Sequence, residues 1–278
     1  MNVGFIGAGK VGLSLAKVVS HTSPQHIRFF GRHFTETLKT TKEHGFEACE
    51  TLKDMVMTSD VIGITVQDDH IEHVVLDLVQ LGVNLEDKLI FHTSGVHDVS
   101  ILMPLKAHIF SLHPLKAFSR VVEDSEELKR IYFSLESADL SAKQWVETLG
   151  ISYFEIASED KKKYHAGAAI VSNYLVAVLD FGMKQFMDIG IDEQTALKAL
   201  WPLITGSLNN IQRFGTRSAL TGPIVRGDMN TINKHLEVLD LNLHPLYKEL
   251  GLYALSMTQH DDETRSKLES LLKEGIYE

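Results

Sequence analysis

Three glycines, Gly7, Gly9 and Gly12, form a G-x-G-x-x-G pattern inside "NVGFIGAGKVGLSLAKVV". They close a short apolar run and open a segment with helical spacing. A dinucleotide diphosphate needs this arrangement: Gly7 for a tight turn, Gly9 for close backbone approach, Gly12 for packing helix on strand. Gly7, Ala8, Gly9, Lys10, Val11 and Gly12 would then offer free N–H groups and the positive end of a helix dipole to the phosphates. Arg32 lies 20 residues past Gly12 in "FFGRH", where an NAD site carries Asp or Glu, and no carboxylate follows until Glu36. A guanidinium pairs with phosphate in a bidentate way, so the cation suits the 2′-phosphate of NADP in preference to NAD. His33 beside it, with Val66 and Thr93 at two later strand exits, completes the expected cofactor set.

A second group of residues suits proton transfer and substrate binding. The loop "HTSG" offers the hydroxyls of Thr93 and Ser94; the alternative is that they satisfy their own turn. His113 precedes Pro114 in "SLHPL", which biases it to extended backbone at a strand exit. Its ordinary pKa near 6.5 suits acid–base work, and the alternative is a buried histidine bonded to a loop. His165, Ser172 and Asn173 fall in "YHAGAAIVSNYLVAVLDFGMKQF", with Tyr164 and His165 two turns before Asn173 and close to its face. They either line a cleft, with Ser172 on substrate, or join two domains. Arg226 in "LTGPIVRGD" could clamp a substrate carboxylate or a partner subunit, or pair with Asp228, itself the expected N-cap of the next helix. Lys161, Lys162 and Lys163 read as a solvated face. His70 and His73 lack the ligands that would complete a metal site, and none is expected. Cys49 reads as core.

The elements that must position these residues alternate strand and helix through the first half. "NVGFIG", "HIRFFG", "FEAC", "DVIGITV", "KLIFHTSG", "HIFSLHPL", "RIYFSLE" and "ISYFEIA" read as strands. Helical segments between them stop at Gly45, Gly82 and Gly150, and "SAKQWVETLG" opens on a capping box of Ser141 and Gln144. After Ser158 only helical signals remain. Asp192 is an expected N-cap, and Pro202 should kink or break its helix. The fold class is α/β: a Rossmann doubly wound, mostly parallel sheet followed by an all-α C-terminal domain. The expected domains are 1–157, binding NAD(P), and 158–278, helical, for substrate and dimerisation.

The chain has 278 residues, 44% apolar and 23% charged, ordinary for two globular domains. A net charge of −10 excludes a general nucleic-acid binder. No run is read as long enough for a membrane span, and no signal peptide is expected. The single cysteine agrees with a reducing, cytoplasmic compartment.

The layout resembles the 6-phosphogluconate dehydrogenase-like superfamily, which includes β-hydroxyacid dehydrogenases, pyrroline-5-carboxylate reductase, ketopantoate reductase and prephenate dehydrogenase. "FHTSG", "SLHPL", "YHAGAAIVSNYLVA" and "LTGPIVRGD" are similar to phrases of a narrower Rossmann-like NADP oxidoreductase family in that group. The resemblance implies an oxidoreductase moving a hydride between NADP(H) and a small carbonyl, imine or hydroxy compound, and a homodimer paired through the helical domain. His113 matches the catalytic histidine of prephenate dehydrogenases, and Asn173 the asparagine of β-hydroxyacid dehydrogenases. Their lysine four residues earlier is Ala169 here. That departure leaves a non-catalytic NADP-binding sensor or scaffold as the alternative function.

Overall fold

The structure is a computed structural model and describes residues 1–22 and 26–275. It forms two compact units, Met1–Leu175 and Val176–Glu278. The first contains β1 (Val3–Ile6), α1 (Lys10–Ser20), β2 (Ile27–Phe30), α2 (Phe34–Glu43), β3 (Glu47–Ala48), α3 (Leu52–Thr58), β4 (Val61–Ile64), α4 (Ile71–Gln80) and β5 (Leu89–His92). A 3-10 segment, Val99–Leu105, leads to β6 (His108–Pro114), α5 (Ser125–Lys129), β7 (Tyr132–Glu136), α6 (Leu140–Thr148), β8 (Ser152–Glu155) and α7 (Lys161–Ala169).

The strands join in the order β3-β2-β1-β4-β5-β6-β7-β8. All adjacent pairs are parallel except β6 and β7, which are antiparallel. β1, β4 and β5 are buried at every residue, as a sheet covered on both faces requires. Alternate residues feed two cores. Phe5, Phe29, Phe91 and Phe110 pack with Trp145 on one face; Ile6, Met55, Ile62, Ile64 and Ile90 pack on the other. The aromatic face is stacked, with ring centroids 5.1 Å apart for Phe5–Phe29 and 5.0 Å for Phe91–Phe110. Strand order reverses between β1 and β4, and a doubly wound sheet binds ligands beyond the strand ends at that point.

Helices α2, α4 and α6 stop just before Gly45, Gly82 and Gly150, whose φ values are +81°, +61° and +64°. The cap of α6 is Asp139, whose side chain accepts from Ser141 N, and not the expected Ser141 box. Asp139 wins because it stands one residue outside the helix, where a short carboxylate reaches the free N–H groups.

No strand follows β8 among the described residues. The first unit nonetheless runs past the expected boundary at 157 to Leu175, because side chains of α7 are bonded into the sheet. After α7 a π-helical turn, Ile170–Tyr174, leads into α8 (Leu175–Asp188). The helical run Ser158–Asp188 is long and apolar enough to cross a membrane by length and composition, with a mean hydropathy of 1.5 over its most apolar 18 residues. This corrects the expectation that no such run exists; the run also carries His165, Asn173 and the ion pair Asp180–Lys184.

The second unit continues with α9 (Glu193–Ala219), α10 (Pro223–Arg226), α11 (Met229–Val238), α12 (His244–Ser256) and α13 (Asp262–Lys273). Its core is Ile232, Leu255, Leu268 and Leu272. Asp192 caps α9 by accepting from Thr195 N, as expected. Pro202 does not break α9; helical backbone runs through it and is interrupted at Gly215, φ +79°. Proline's fixed φ is itself helical, so it removes one hydrogen bond without forcing a turn, whereas glycine enters the left-handed region at no steric cost.

Candidate functional site

The glycine pattern sits where β1 gives way to α1. Gly7 has φ +107°, and a Cβ there would lie 3.0 Å from the Thr65 backbone. Its N–H donates to Phe30 O at 2.8 Å, and its carbonyl accepts from Thr65 Oγ1 at 2.8 Å. A Cβ on Gly12 would collide with Thr65 Oγ1 and with Gly7 O, so α1 can approach the strand end only with glycine there. Gly9 is the N-cap of α1, extended and exposed, and a Cβ there would meet only Thr65 O, 4.0 Å away. Space is thus left open at Gly9 alone, in front of the free N–H groups of α1, whose first turn holds no carboxylate.

A cavity of about 620 Å³ opens there, lined by Gly7, Gly9, Gly31, Arg32, Thr65 and Val66 among others. Arg32 is exposed at its wall and forms no ion pair with any described residue. Ala8 and Val11 turn into the sheet's core instead of the cleft, and Lys10 is exposed on the first turn of α1. His33 is the backbone N-cap of α2, with no side-chain cap bond. Thr93 N donates to Ile64 O, which ties the β5 exit to β4. Sequence reading missed Gln67 and Asp77 and weighed His70 and His73 only as metal ligands; all four line the same cavity from the β4 exit and α4. Helical spacing of 70, 73 and 77 could have shown that they share a face. Among the described residues no group of three or more His, Cys, Asp or Glu could hold a metal.

A second cluster forms at the ends of β5 and β6. His113 Nδ1 lies 2.8 Å from Tyr164 Oη, and its ring centroid is 6.0 Å from that of His165. Both rings press on Gly95: a Cβ there would meet His165 Cδ2 and lie 2.8 Å from His113 Nε2. His113, His165, Ala168, Ala169, Ser172 and Asn173 line a cavity of about 260 Å³. The expectation that His113 titrates near neutrality is corrected. Burial, with His165 and Lys161 nearby, lowers its pKa to about 4, so it is a neutral ring at physiological pH.

The π turn sets who faces this cavity. Eight residues of α-helix place His165 and Asn173 about 80° apart around the axis, and nine place Tyr164 on the opposite side. One i→i+5 turn takes up about one extra residue and brings His165 and Asn173 into line. Tyr164 points elsewhere, to His113, so the expected common face holds for His165 and not for Tyr164.

Other expectations change on contact with the structure. Ser94 is buried, and its hydroxyl accepts from Val96 N at 3.2 Å and His97 N at 3.1 Å, closing its own turn. Its lone pairs are taken up in the turn, because a hydroxyl at the head of a tight loop finds backbone donors nearest. Ser172 Oγ donates to Ala168 O at 2.7 Å while lining the smaller cavity. Arg226, in the second unit on α10, lies 3.8 Å from Asp228, which caps α11 by accepting from Thr231 N. Cys49 packs against the Ile6–Ile64 core, and burial raises its thiol pKa.

The lysine run is not a solvated face throughout. Lys161 is fully buried: its Nζ donates to Ser111 Oγ and, at 3.1 Å, to Glu136 Oε2. Glu136 Oε1 also accepts from Val99 N at 2.9 Å and Ser158 Oγ at 2.6 Å. Desolvation pushes the Lys161 pKa down, and the Glu136 carboxylate opposes it. This buried pair pins the start of α7 to β6 and β7.

Residues 2–92 match the family described as NADP oxidoreductase, coenzyme F420-dependent, and residues 131–254 match a domain of unknown function, DUF2520. Curated proteins gave no match to the sequence. Among solved structures, a protein of Bacteroides fragilis described as a candidate NADP oxidoreductase is similar at 20% identity and TM-score 0.75, covering 92% of this chain and 98% of its own. A protein of Thermotoga maritima is similar at 24% identity and TM-score 0.65, with 98% of each chain covered. The pyrroline carboxylate reductase of Plasmodium falciparum, solved with NADP bound, is similar at 14% identity and TM-score 0.61, with 98% of each chain covered. These likenesses carry the fold; the family match carries the chemistry. The chain is thus an NADP-dependent oxidoreductase, similar over residues 2–92 to an NADP oxidoreductase family and over residues 131–254 to the DUF2520 domain.

Proposed function

We propose that the protein transfers a hydride between NADP(H) and a small carbonyl, imine or hydroxy compound. One observation carries the cofactor half of this reading: a turn that leaves no room for a Cβ at Gly7 or Gly12, and is open at Gly9, shares a cavity with Arg32, a cation lacking any carboxylate partner among the described residues. Gly7 to Gly12 hold the diphosphate through backbone N–H groups, and Arg32 pairs with the 2′-phosphate. NADPH, when bound, supplies the hydride. His113 and His165 meet the reacting oxygen or nitrogen, and Asn173 and Ser172 orient it from the helix.

Calorimetry with Arg32→Ala tests the phosphate contact. Charge-assisted hydrogen bonds contribute about 1.5–3 kcal/mol each. NADPH affinity should therefore fall about 10- to 100-fold while NADH affinity stays constant. Equal weakening of both coenzymes, or none, would remove Arg32 from the role. His113→Ala should lower kcat on any productive substrate by about 10²-fold or more, the usual scale for a polar group at the reacting atoms. NADPH fluorescence enhancement should survive, since His113 lines the other cavity.

Ala169 favours a second reading, a sensor or scaffold that binds NADPH without turning it over. It lines the cavity with a methyl group where related dehydrogenases place an amine. A panel of 2-keto acids, aldehydes and cyclic imines separates the two: NADPH oxidation with none of them favours the sensor. A homodimer is also part of the proposal, supported by exposed Val171, Val176, Trp201 and Phe214. Sedimentation as a monomer would contradict it.

A further inference from the structure

The face of β6 and β7 that lies under α7 is polar. Antiparallel register sets Ser111 opposite Glu136 and His113 opposite Ser134, and directly opposed residues share a face. Lys161 bonds to the first rung. Tyr164, three residues on, bonds to His113 in the second. Phe154 of β8, paired with Ser134, packs its ring against Tyr164 with centroids 5.7 Å apart. Tyr164 is therefore held over His113 from two sides, and burial keeps its phenol protonated by raising its pKa.

A phenol and a neutral imidazole nitrogen could share their hydrogen bond in either direction. The unprotonated imidazole nitrogen is the stronger base, and a phenol O–H is a stronger acid than an imidazole N–H. Tyr164 therefore donates and His113 Nδ1 accepts. A neutral ring then keeps its own proton on Nε2. That nitrogen lies at the Gly95 edge of the cavity, and no described residue accepts from it.

We propose that Tyr164 is a positioning residue that fixes His113 as the tautomer protonated on Nε2, so that the site selects a substrate presenting a lone pair, a carbonyl oxygen or an unprotonated imine nitrogen, over an iminium cation. The inference rests on the oxidoreductase reading for the word substrate, though not for the tautomer. The charged and titratable groups facing His113 agree with it. From α7 these are Tyr164, His165 and Lys161; Lys116, just after β6, lines the same cavity and is paired with Glu127 at 3.0 Å; from the β5 exit Gly95 approaches. Burial first, and then His165 and Lys161, disfavour an imidazolium, and the ring's low pKa follows.

Nitrogen-15 correlation spectra of the full chain with labelled histidine read the tautomer directly. His113 is assigned by its loss in His113→Gln. The expected pattern is a neutral ring protonated on Nε2, constant from about pH 8 to pH 5. Tyr164→Phe should release the ring to a mixture of tautomers and lower kcat about 10²-fold with NADPH affinity unchanged. An Nδ1-protonated ring or an imidazolium in the wild type at pH 7 would overturn the proposal. So would a Tyr164→Phe variant with the wild-type spectrum or wild-type kcat. If Tyr164→Phe does not fold, the wild-type spectrum decides alone. Failure of NADPH binding would sink the oxidoreductase reading and leave the spectrum intact, so the two failures are distinguishable.

Discussion

Lys161→Met should lower the unfolding free energy of the first unit by about 3–5 kcal/mol, the scale for removing one member of a buried ion pair. Lys161 is fully buried and Glu136 nearly so. With the ammonium gone, Glu136 keeps its bonds from Val99 N and Ser158 but remains an unpaired charge out of water. Such a loss takes up a large part of the 5–15 kcal/mol that holds a typical domain together. The double variant Lys161→Met/Glu136→Gln should recover most of it. The amide can still accept from Val99 N, and the pair's mutual attraction largely offsets its own desolvation. Urea denaturation with both variants checks this. A single variant within about 1 kcal/mol of wild type would mean that water reaches the pair. Because Lys161 heads the helix that carries Tyr164 and His165, the single variant should also disturb the His113 spectrum described above.

Much of the architecture could be read in advance, because its causes are local. The strands β1, β4 and β5 are short and apolar throughout; the glycines of the first turn are dictated by φ at Gly7 and by the tight contact at Gly12. Arg32 could be placed by counting along one βαβ unit. The candidate site was less legible where its causes are tertiary. "KKK" looks the same to solvent from sequence, and only the docking of α7 decides that Lys161 is the buried member. A π turn leaves no compositional mark in "IVSNY", so the faces of Tyr164, His165 and Asn173 could not be assigned by α-helical counting. Ser94 offered two uses, and only the fold of its loop shows that its oxygen is taken. The low pKa of His113 is likewise a property of what covers it.

The same burial makes the fold acid-sensitive in a defined window. His92 is fully buried: its Nδ1 accepts from Ser94 N at 3.2 Å, its Nε2 lies 3.3 Å from Asp98 O, and desolvation lowers its pKa to about 3. His113 stands at about 4 for the same leading reason. In the unfolded chain both groups titrate near 6.5. Above pH 6.5 neither state holds these protons, and the stability is fully present. As pH falls through 6.5 the unfolded chain takes up two protons that the fold refuses, so stability drops until the folded values near 4 and 3 are reached. Linkage gives about 1.4 kcal/mol per pH unit for each histidine, or roughly 7 kcal/mol for the pair between pH 6.5 and 4. Carboxylates with lowered pKa, such as Asp98 and Asp139, add their own loss only nearer pH 4, so the upper part of the window isolates the imidazoles. Urea midpoints at half-unit steps from pH 7 to 4.5 should therefore fall steadily. His92→Gln and His113→Gln should each flatten the slope by about half, whatever they cost at pH 7. A wild-type slope well below 1 kcal/mol per pH unit would mean that both rings take protons within the fold, and that neither is as deeply enclosed as the strands around it.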